Sequence, residues 1–206
     1  MIVIIDYAAG NLTSVKRALD YLNIPALISP DPEIVAAAER IIFPGVGHAA
    51  AAMQTLRQRG LDRALKDAFA AGTPILGICL GTQIILTHAE EGDTSCLGLI
   101  PGTVPRFALS NPALKVPHMG WDSITAKRRH PVLRDFRQGD EFYFVHSYYP
   151  KPSDNSAVIA TCDYGIGFAA AVGMKNLVGT QFHPEKSGPA GLSILKNFAS
   201  WDGAPC

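Results

Sequence analysis

A cysteine between two glycines, where an apolar run ends, is the feature of this 206-residue sequence best suited to chemistry. The segment reads Gly77-Ile78-Cys79-Leu80-Gly81. A buried strand arrives and a helix leaves, so Cys79 sits on a nucleophile elbow with sulfur in place of a serine oxygen. The small glycines suit a tight turn whose neighbours pack close. The positive end of the following helix favours a thiolate, and the Leu80 amide is positioned to donate to an oxyanion. The competing reading is a buried core cysteine, which is common for free thiols.

A thiolate nucleophile needs a base, and the base needs a group that orients it. Gln181-Phe182-His183-Pro184-Glu185 offers both. Pro184 biases His183 toward extended backbone, where residues two apart point to the same side. Glu185 can then hold one imidazole nitrogen while the other faces Cys79. A surface His and Glu at a strand end is the plainer alternative. Position favours the first reading, because the triplet follows a predicted strand at the edge where open α/β sheets bind ligands. Pro44-Gly45-Val46-Gly47 also follows a predicted strand. Its glycines allow a backbone N–H to turn toward a developing oxyanion, against the alternative of an ordinary turn. The remaining histidines (His48, His88, His118, His130 and His146) lack ligand-like spacing. No metal or other cofactor is expected.

These groups need a scaffold, and the hydrophobic pattern supplies one. Ile2 to Ile5 reads as a buried parallel strand. Asn11 is expected to cap a helix with apolar positions Leu12, Val15, Leu19 and Leu22. Pro25–Ile28 is predicted as a strand, Glu33–Ala38 as a short helix and Arg40–Phe43 as a third strand. Met53–Ala71 reads as helical with a break near Gly60. Pro74–Ile78 is a fourth strand and Leu80–His88 the next helix. Alternating strands and helices imply an open parallel sheet covered on both faces. The second half instead gives short strands at Thr103–Phe107, Trp121–Thr125, Glu141–Ser147, Ala157–Thr161, Gly167–Val172 and Leu177–Gln181. They read as a mixed or antiparallel extension of the sheet. Ser187 is expected to cap a closing helix that runs to Trp201. With no repeat or linker, residues 1–206 are expected to form one α/β domain.

Composition narrows the function classes. Lys plus Arg equals Asp plus Glu, at 18 each. No basic excess draws in nucleic acid or an anionic membrane. The uncharged stretch from Ala68 to Ala89 has membrane-span length, but Gly72, Pro74, Gly77, Gly81 and Gln83 interrupt it. The MIVIIDY start lacks the positive region of a signal peptide. Four cysteines (Cys79, Cys96, Cys162 and Cys206) form no CxxC pair, which favours a reducing, cytoplasmic setting.

Taken together, these segments resemble the class I, triad-type glutamine amidotransferases over nearly the whole chain. Within that class they are most similar to the glutaminase subunits of imidazole glycerol phosphate synthases, which serve histidine biosynthesis. The elbow and His-Pro-Glu mark the broad class. More specific are Asp6-Tyr7-Ala8-Ala9-Gly10-Asn11-Leu12, the Pro44–Gly47 loop, Lys115-Val116-Pro117-His118-Met119-Gly120-Trp121 and Phe142-Tyr143-Phe144-Val145-His146-Ser147-Tyr148. The resemblance implies a flavodoxin-like open sheet and a Cys79–His183–Glu185 triad that hydrolyses L-glutamine through a thioester. It assigns Gln83 and Glu91 to the amino-acid end of glutamine, and the backbone of Ser147 and Tyr148 to its carboxylate. Leu80 and the Gly45, Val46 and Gly47 loop would serve the oxyanion. A heterodimer with a (β/α)8-barrel cyclase subunit is implied, contacted near Tyr7, Asn11, Trp121, Tyr143 and Lys186. Ala8-Ala9 and His48-Ala49-Ala50 depart from the usual family pattern on the expected partner face.

Two alternatives stay open at this point. One is a glutaminase subunit serving anthranilate, aminodeoxychorismate or pyridoxal phosphate synthesis. These share the elbow and His-Pro-Glu but usually differ in the oxyanion loop. The other is a non-catalytic relative that only binds, which would need a broken triad.

Overall fold

The computed structural model describes residues 1–8 and 10–204. The Ala9 half of the Ala8-Ala9 departure and Cys206 lie outside the described residues. The first half runs β1 (Ile2–Ile5), α1 (Leu12–Tyr21), β2 (Ala26–Ser29), α2 (Pro32–Ala36), β3 (Arg40–Gly45), α3 (Ala49–Gln58), α4 (Leu61–Ala71), β4 (Ile75–Cys79) and α5 (Leu80–Ile84). Then follow β5 (His88–Ala89), β6 (Thr94–Ser95), β7 (Gly102–Val104), β8 (His118–Ser123), β9 (Thr125–Ala126), β10 (Glu141–His146) and β11 (Lys151–Pro152). The chain closes with β12 (Val158–Asp163), β13 (Gly167–Met174), β14 (Leu177–Thr180) and α6 (Gly188–Ser200).

Among the described residues the main sheet has the order β2-β1-β3-β4-β14-β13-β12-β9. β2, β1, β3, β4 and β14 are parallel neighbours. β13, β12 and β9 continue it antiparallel. This is the expected α/β architecture. β1 shows why its four apolar residues are consecutive. Val3 and Ile5 join a cluster with Leu56, Leu61 and Leu65 of α3 and α4. Ile2 and Ile4 join the opposite cluster, with Val15 and Leu19 of α1 and Leu195 and Phe198 of α6. Successive side chains point to opposite faces, so a strand covered on both sides needs no polar alternation. Each such buried side chain contributes roughly 1.5–3 kcal/mol relative to exposure.

Several boundaries differ from expectation. The predicted helix over Leu80–His88 stops at Ile84. The Ile85 carbonyl accepts from Leu99 and Ile100, and the Ile84 carbonyl from Leu97, so tertiary hydrogen bonds take over the ladder. β3 runs on through Pro44 and Gly45 instead of ending at Phe43. The helix predicted from Met53 begins at Ala49 and breaks at Gly60, in left-handed conformation at φ 70°. The antiparallel half is not all one sheet: β8 pairs only with β10, and β7 belongs to a separate sheet with β5, β6 and β11. No helix among the described residues is long and apolar enough to cross a membrane. Residues 68–89 become the end of α4, then β4, α5 and the loop into β5.

Candidate active site

Cys79 is the last residue of β4 and has φ 54°, ψ −110°. Such a backbone is strained for a residue with a side chain, and strain of this kind concentrates at functional sites. Gly81 makes the elbow feasible, because a Cβ there would lie 1.8 Å from the Phe43 carbonyl oxygen. α5 has five residues, so its first-turn amides, Leu80 included, matter more than a long helix dipole.

β14 lies parallel to β4, with Thr180 opposite Ile78. The segment after β14 therefore emerges beside the elbow, and His183 and Cys79 share one sheet edge. The His183 amide donates to the Tyr143 carbonyl at 2.9 Å. Ser187 does not cap α6 through its side chain. Its hydroxyl donates to the His183 carbonyl at 2.6 Å and accepts from the Tyr143 amide at 3.0 Å, clamping the His-Pro-Glu turn onto β10.

Nδ1 of His183 lies 2.8 Å from Oε1 of Glu185. The Glu185 side chain is fully buried. Asn11 donates to the same oxygen. The expected side-chain cap by Asn11 is absent: it occupies the cap position at φ 70° and spends its amide on Glu185. Nε2 of His183 is buried without a hydrogen bond of ordinary geometry, and the Cys79 sulfur acts on it. Burial alone would lower the His183 pKa. The sulfur and the Glu185 carboxylate outweigh burial and push it up to about 10. The charged form of the imidazole is thus favoured from both sides, by the sulfur and by the carboxylate.

A cavity of about 320 Å³ opens at the elbow, lined by residues that include Cys79, Leu80, Gln83, Glu91, Ser147 and Tyr148. Val46 and Gly47 also line it, the latter at φ 106°. Gly45 does not line it. It is buried in β3 opposite Cys79, and a Cβ there would lie 2.0 Å from the Tyr7 hydroxyl oxygen. Gln83 donates to the Tyr148 carbonyl at 2.8 Å and to Oε1 of Gln181 at 3.0 Å. Gln181 in turn donates to the Cys79 sulfur at 3.7 Å. One Glu91 oxygen accepts from the Ala49 amide at 2.7 Å, tying the cavity wall to the start of α3. Larger concavities lie elsewhere, among them those along Ala126–Arg134 and between Arg128 and Lys175, and no cysteine lines either of these.

The family model for glutamine amidotransferase class-I matches residues 3–200. The chain belongs to the class I glutamine amidotransferases. The amidotransferase is 50% identical over 206 residues to "Imidazole glycerol phosphate synthase subunit HisH" of Nitratidesulfovibrio vulgaris (strain DSM 19637 / Miyazaki F), covering 98% of this chain and 97% of that protein. A Geobacter sulfurreducens protein of the same name is 46% identical over 202 residues, covering 96% and 97%. The structure of PurLQS from Thermotoga maritima superposes with TM-score 0.72 at 19% identity, covering 96% of each chain. A Thermotoga maritima glutamine amidotransferase superposes with TM-score 0.71 at 13% identity, covering 97% of this chain and 98% of that one. At these identities the superpositions speak for the fold.

The residues expected at a partner contact separate into two groups. Trp121 is half exposed, and its ring lies 6.0 Å from that of Tyr143. The Lys186 ammonium sits 5.5 Å from the Tyr143 ring centre. These three lie together beside the His-Pro-Glu turn, with exposed Met119 on the same strand as Trp121. Tyr7 is a correction. It is 1% exposed and packs on Phe43, so its side chain is part of the amidotransferase core and not of a docking face. Asn11 is half-buried and engaged with Glu185. Sequence reasoning missed Gln181 and the buried pair His118 and His146. A usable signal for the pair was present, since both specific motifs carry a histidine and β8 and β10 place the two opposite each other.

Proposed function

We propose that this chain is the glutaminase subunit of an imidazole glycerol phosphate synthase and acts as one cytoplasmic domain. The observation that carries the reading is that Cys79 lines a cavity and acts on His183, which is itself held by Glu185, on a chain with relatives of that name at 44–50% identity. A cavity of this size suits a substrate as small as L-glutamine.

The Cys79 sulfur attacks the side-chain amide carbon of glutamine. The developing oxyanion takes hydrogen bonds from the Leu80 amide and from the Val46–Gly47 backbone once that loop is aligned. His183 gives its proton to the departing ammonia, leaving a thioester. The neutral imidazole then activates water, the thioester is hydrolysed and glutamate leaves. Glu185 keeps the ring oriented and stabilises its charged form. Gln83 and Glu91 hold the amino-acid end, and the Ser147–Tyr148 backbone holds the carboxylate.

Ammonia is consumed by a (β/α)8-barrel cyclase subunit, which docks on the surface formed by Met119, Trp121, Tyr143 and Lys186. There it combines with a ribonucleotide intermediate to give imidazole glycerol phosphate and an aminoimidazole carboxamide ribotide. The test is glutamate release by the chain alone, with the cyclase subunit, and with the cyclase plus its nucleotide ligand. The reading expects a nearly idle lone chain and a large rise in the full assembly. High activity of the lone chain, or none in the assembly, contradicts it.

A further inference from the structure

His118 and His146 are fully buried, at 0% and 5% exposure, and neither belongs to the triad. They are register partners on β8 and β10. Nδ1 of His118 lies 3.1 Å from Nε2 of His146, and Nδ1 of His146 lies 2.8 Å from the Tyr148 carbonyl oxygen. At the other end, Nε2 of His118 lies 2.7 Å from Oδ2 of Asp122, whose side chain is partly exposed. The His118 ring is stacked between Phe144 and Tyr164.

The chemistry of these atoms fixes the direction of the chain. A carbonyl oxygen only accepts, so Nδ1 of His146 must carry a hydrogen. Burial keeps His146 neutral, with a pKa pushed down to about 3. Its Nε2 is then a bare lone pair that accepts from Nδ1 of His118. Because Nε2 of His118 faces the Asp122 carboxylate, also an acceptor, full pairing of the chain uses the charged form of His118, which burial opposes and Asp122 favours. Remove that donor and His146 can move its hydrogen to Nε2, which would turn a lone pair on Nδ1 toward the Tyr148 oxygen. The Tyr148 carbonyl is also the acceptor for Gln83. One peptide group therefore joins the histidine chain to the glutamine-binding wall.

We propose that His118 and His146 are positioning residues that lock one histidine tautomer and so fix the Ser147–Tyr148 strand against which the glutamine carboxylate is held. The inference rests on the glutaminase reading above. His146 borders the cavity, but neither imidazole is hydrogen-bonded to Cys79, His183 or Glu185. Loss of the lock should therefore weaken substrate binding more than it slows chemistry.

Steady-state glutaminase kinetics of the complex with cyclase and its nucleotide ligand test this, using His146→Leu, His146→Asn and His118→Phe. His118→Phe keeps an aromatic ring between Phe144 and Tyr164 but donates nothing. His146→Asn keeps an N–H near the former Nδ1, while His146→Leu has none. The expected result is a KM for glutamine raised about fivefold to twentyfold in His146→Leu and His118→Phe, the scale of one lost hydrogen bond to a bound group. The fall in kcat should be smaller than the rise in KM, and His146→Asn should stay within about threefold of the wild type. An unchanged KM in His146→Leu, or equal impairment of His146→Asn and His146→Leu, overturns the proposal. If His118→Phe does not fold, the two His146 variants decide alone. A wild-type complex that hydrolyses no glutamine would instead sink the glutaminase reading, and the tautomer lock with it.

Discussion

Gly45 of β3 stands directly opposite Cys79 of β4 across two parallel strands. The Pro44–Gly47 loop and Cys79 therefore leave the same sheet edge side by side, and their spacing is set by the ladder rather than by loop flexibility. Tyr7 lies beneath them, close enough that only glycine fits at position 45.

That packing gives a prediction about stability. Gly45→Ala should destabilise the chain by about 1–3 kcal/mol, because the added methyl meets the Tyr7 oxygen in a full core. The Tyr7 hydroxyl is buried and finds no partner. Tyr7→Phe should thus be neutral or stabilising, and should recover much of the Gly45→Ala loss in the double variant. Denaturant titration of the four proteins measures the coupling. Strict additivity would contradict the contact.

Asn11 carries the second prediction. Its amide meets the same Glu185 oxygen that faces His183. Asn11→Asp keeps the tolerance for positive φ but sets a carboxylate against a buried carboxylate. Glutamine hydrolysis by the complex should fall about tenfold to hundredfold, the scale of 1–3 kcal/mol for a charged hydrogen bond. Rates with ammonia supplied directly separate this loss from damage to the partner. Wild-type hydrolysis in Asn11→Asp would remove Asn11 from the catalytic machinery.

The third prediction concerns pH. An unfolded imidazole titrates near 6.5, whereas burial is overridden at His183 by the Cys79 sulfur and Glu185, raising its folded value to about 10. Below pH ~6.5 both states hold the proton, so the stabilisation is fully present. Between there and about 10 the folded chain keeps a proton that the unfolded chain has released, so stability falls as pH rises. Cys79→Ala removes one of the groups that hold the proton. Melting temperatures across this range should therefore fall more steeply for the wild type than for Cys79→Ala. Parallel curves would contradict the hold of the Cys79 sulfur on the His183 proton.

How much of this was legible beforehand depends on the range of the forces involved. The strand at Ile2–Ile5 and the break at Gly60 follow from local pattern and backbone freedom, and both were readable. Cys79 and His183 were readable because elbow and His-Pro-Glu each carry a local geometric reason. Asn11 and Ser187 looked like helix caps, the commonest local use of such residues. Their side chains instead satisfy Glu185, His183 and Tyr143, partners remote in sequence. Tyr7 was misplaced for a similar reason, since an aromatic in a turn motif gives no sign of which side it buries. The early end of α5 depends on amides from Leu97, Leu99 and Ile100, which no local pattern reveals.

The most direct measurement is the activity of Cys79→Ala assembled with the cyclase subunit and its nucleotide ligand. The account predicts no glutamate release from glutamine, while synthesis driven by added ammonia continues at the wild-type rate. Glutamine hydrolysis surviving in that variant would mean that some other group attacks the amide.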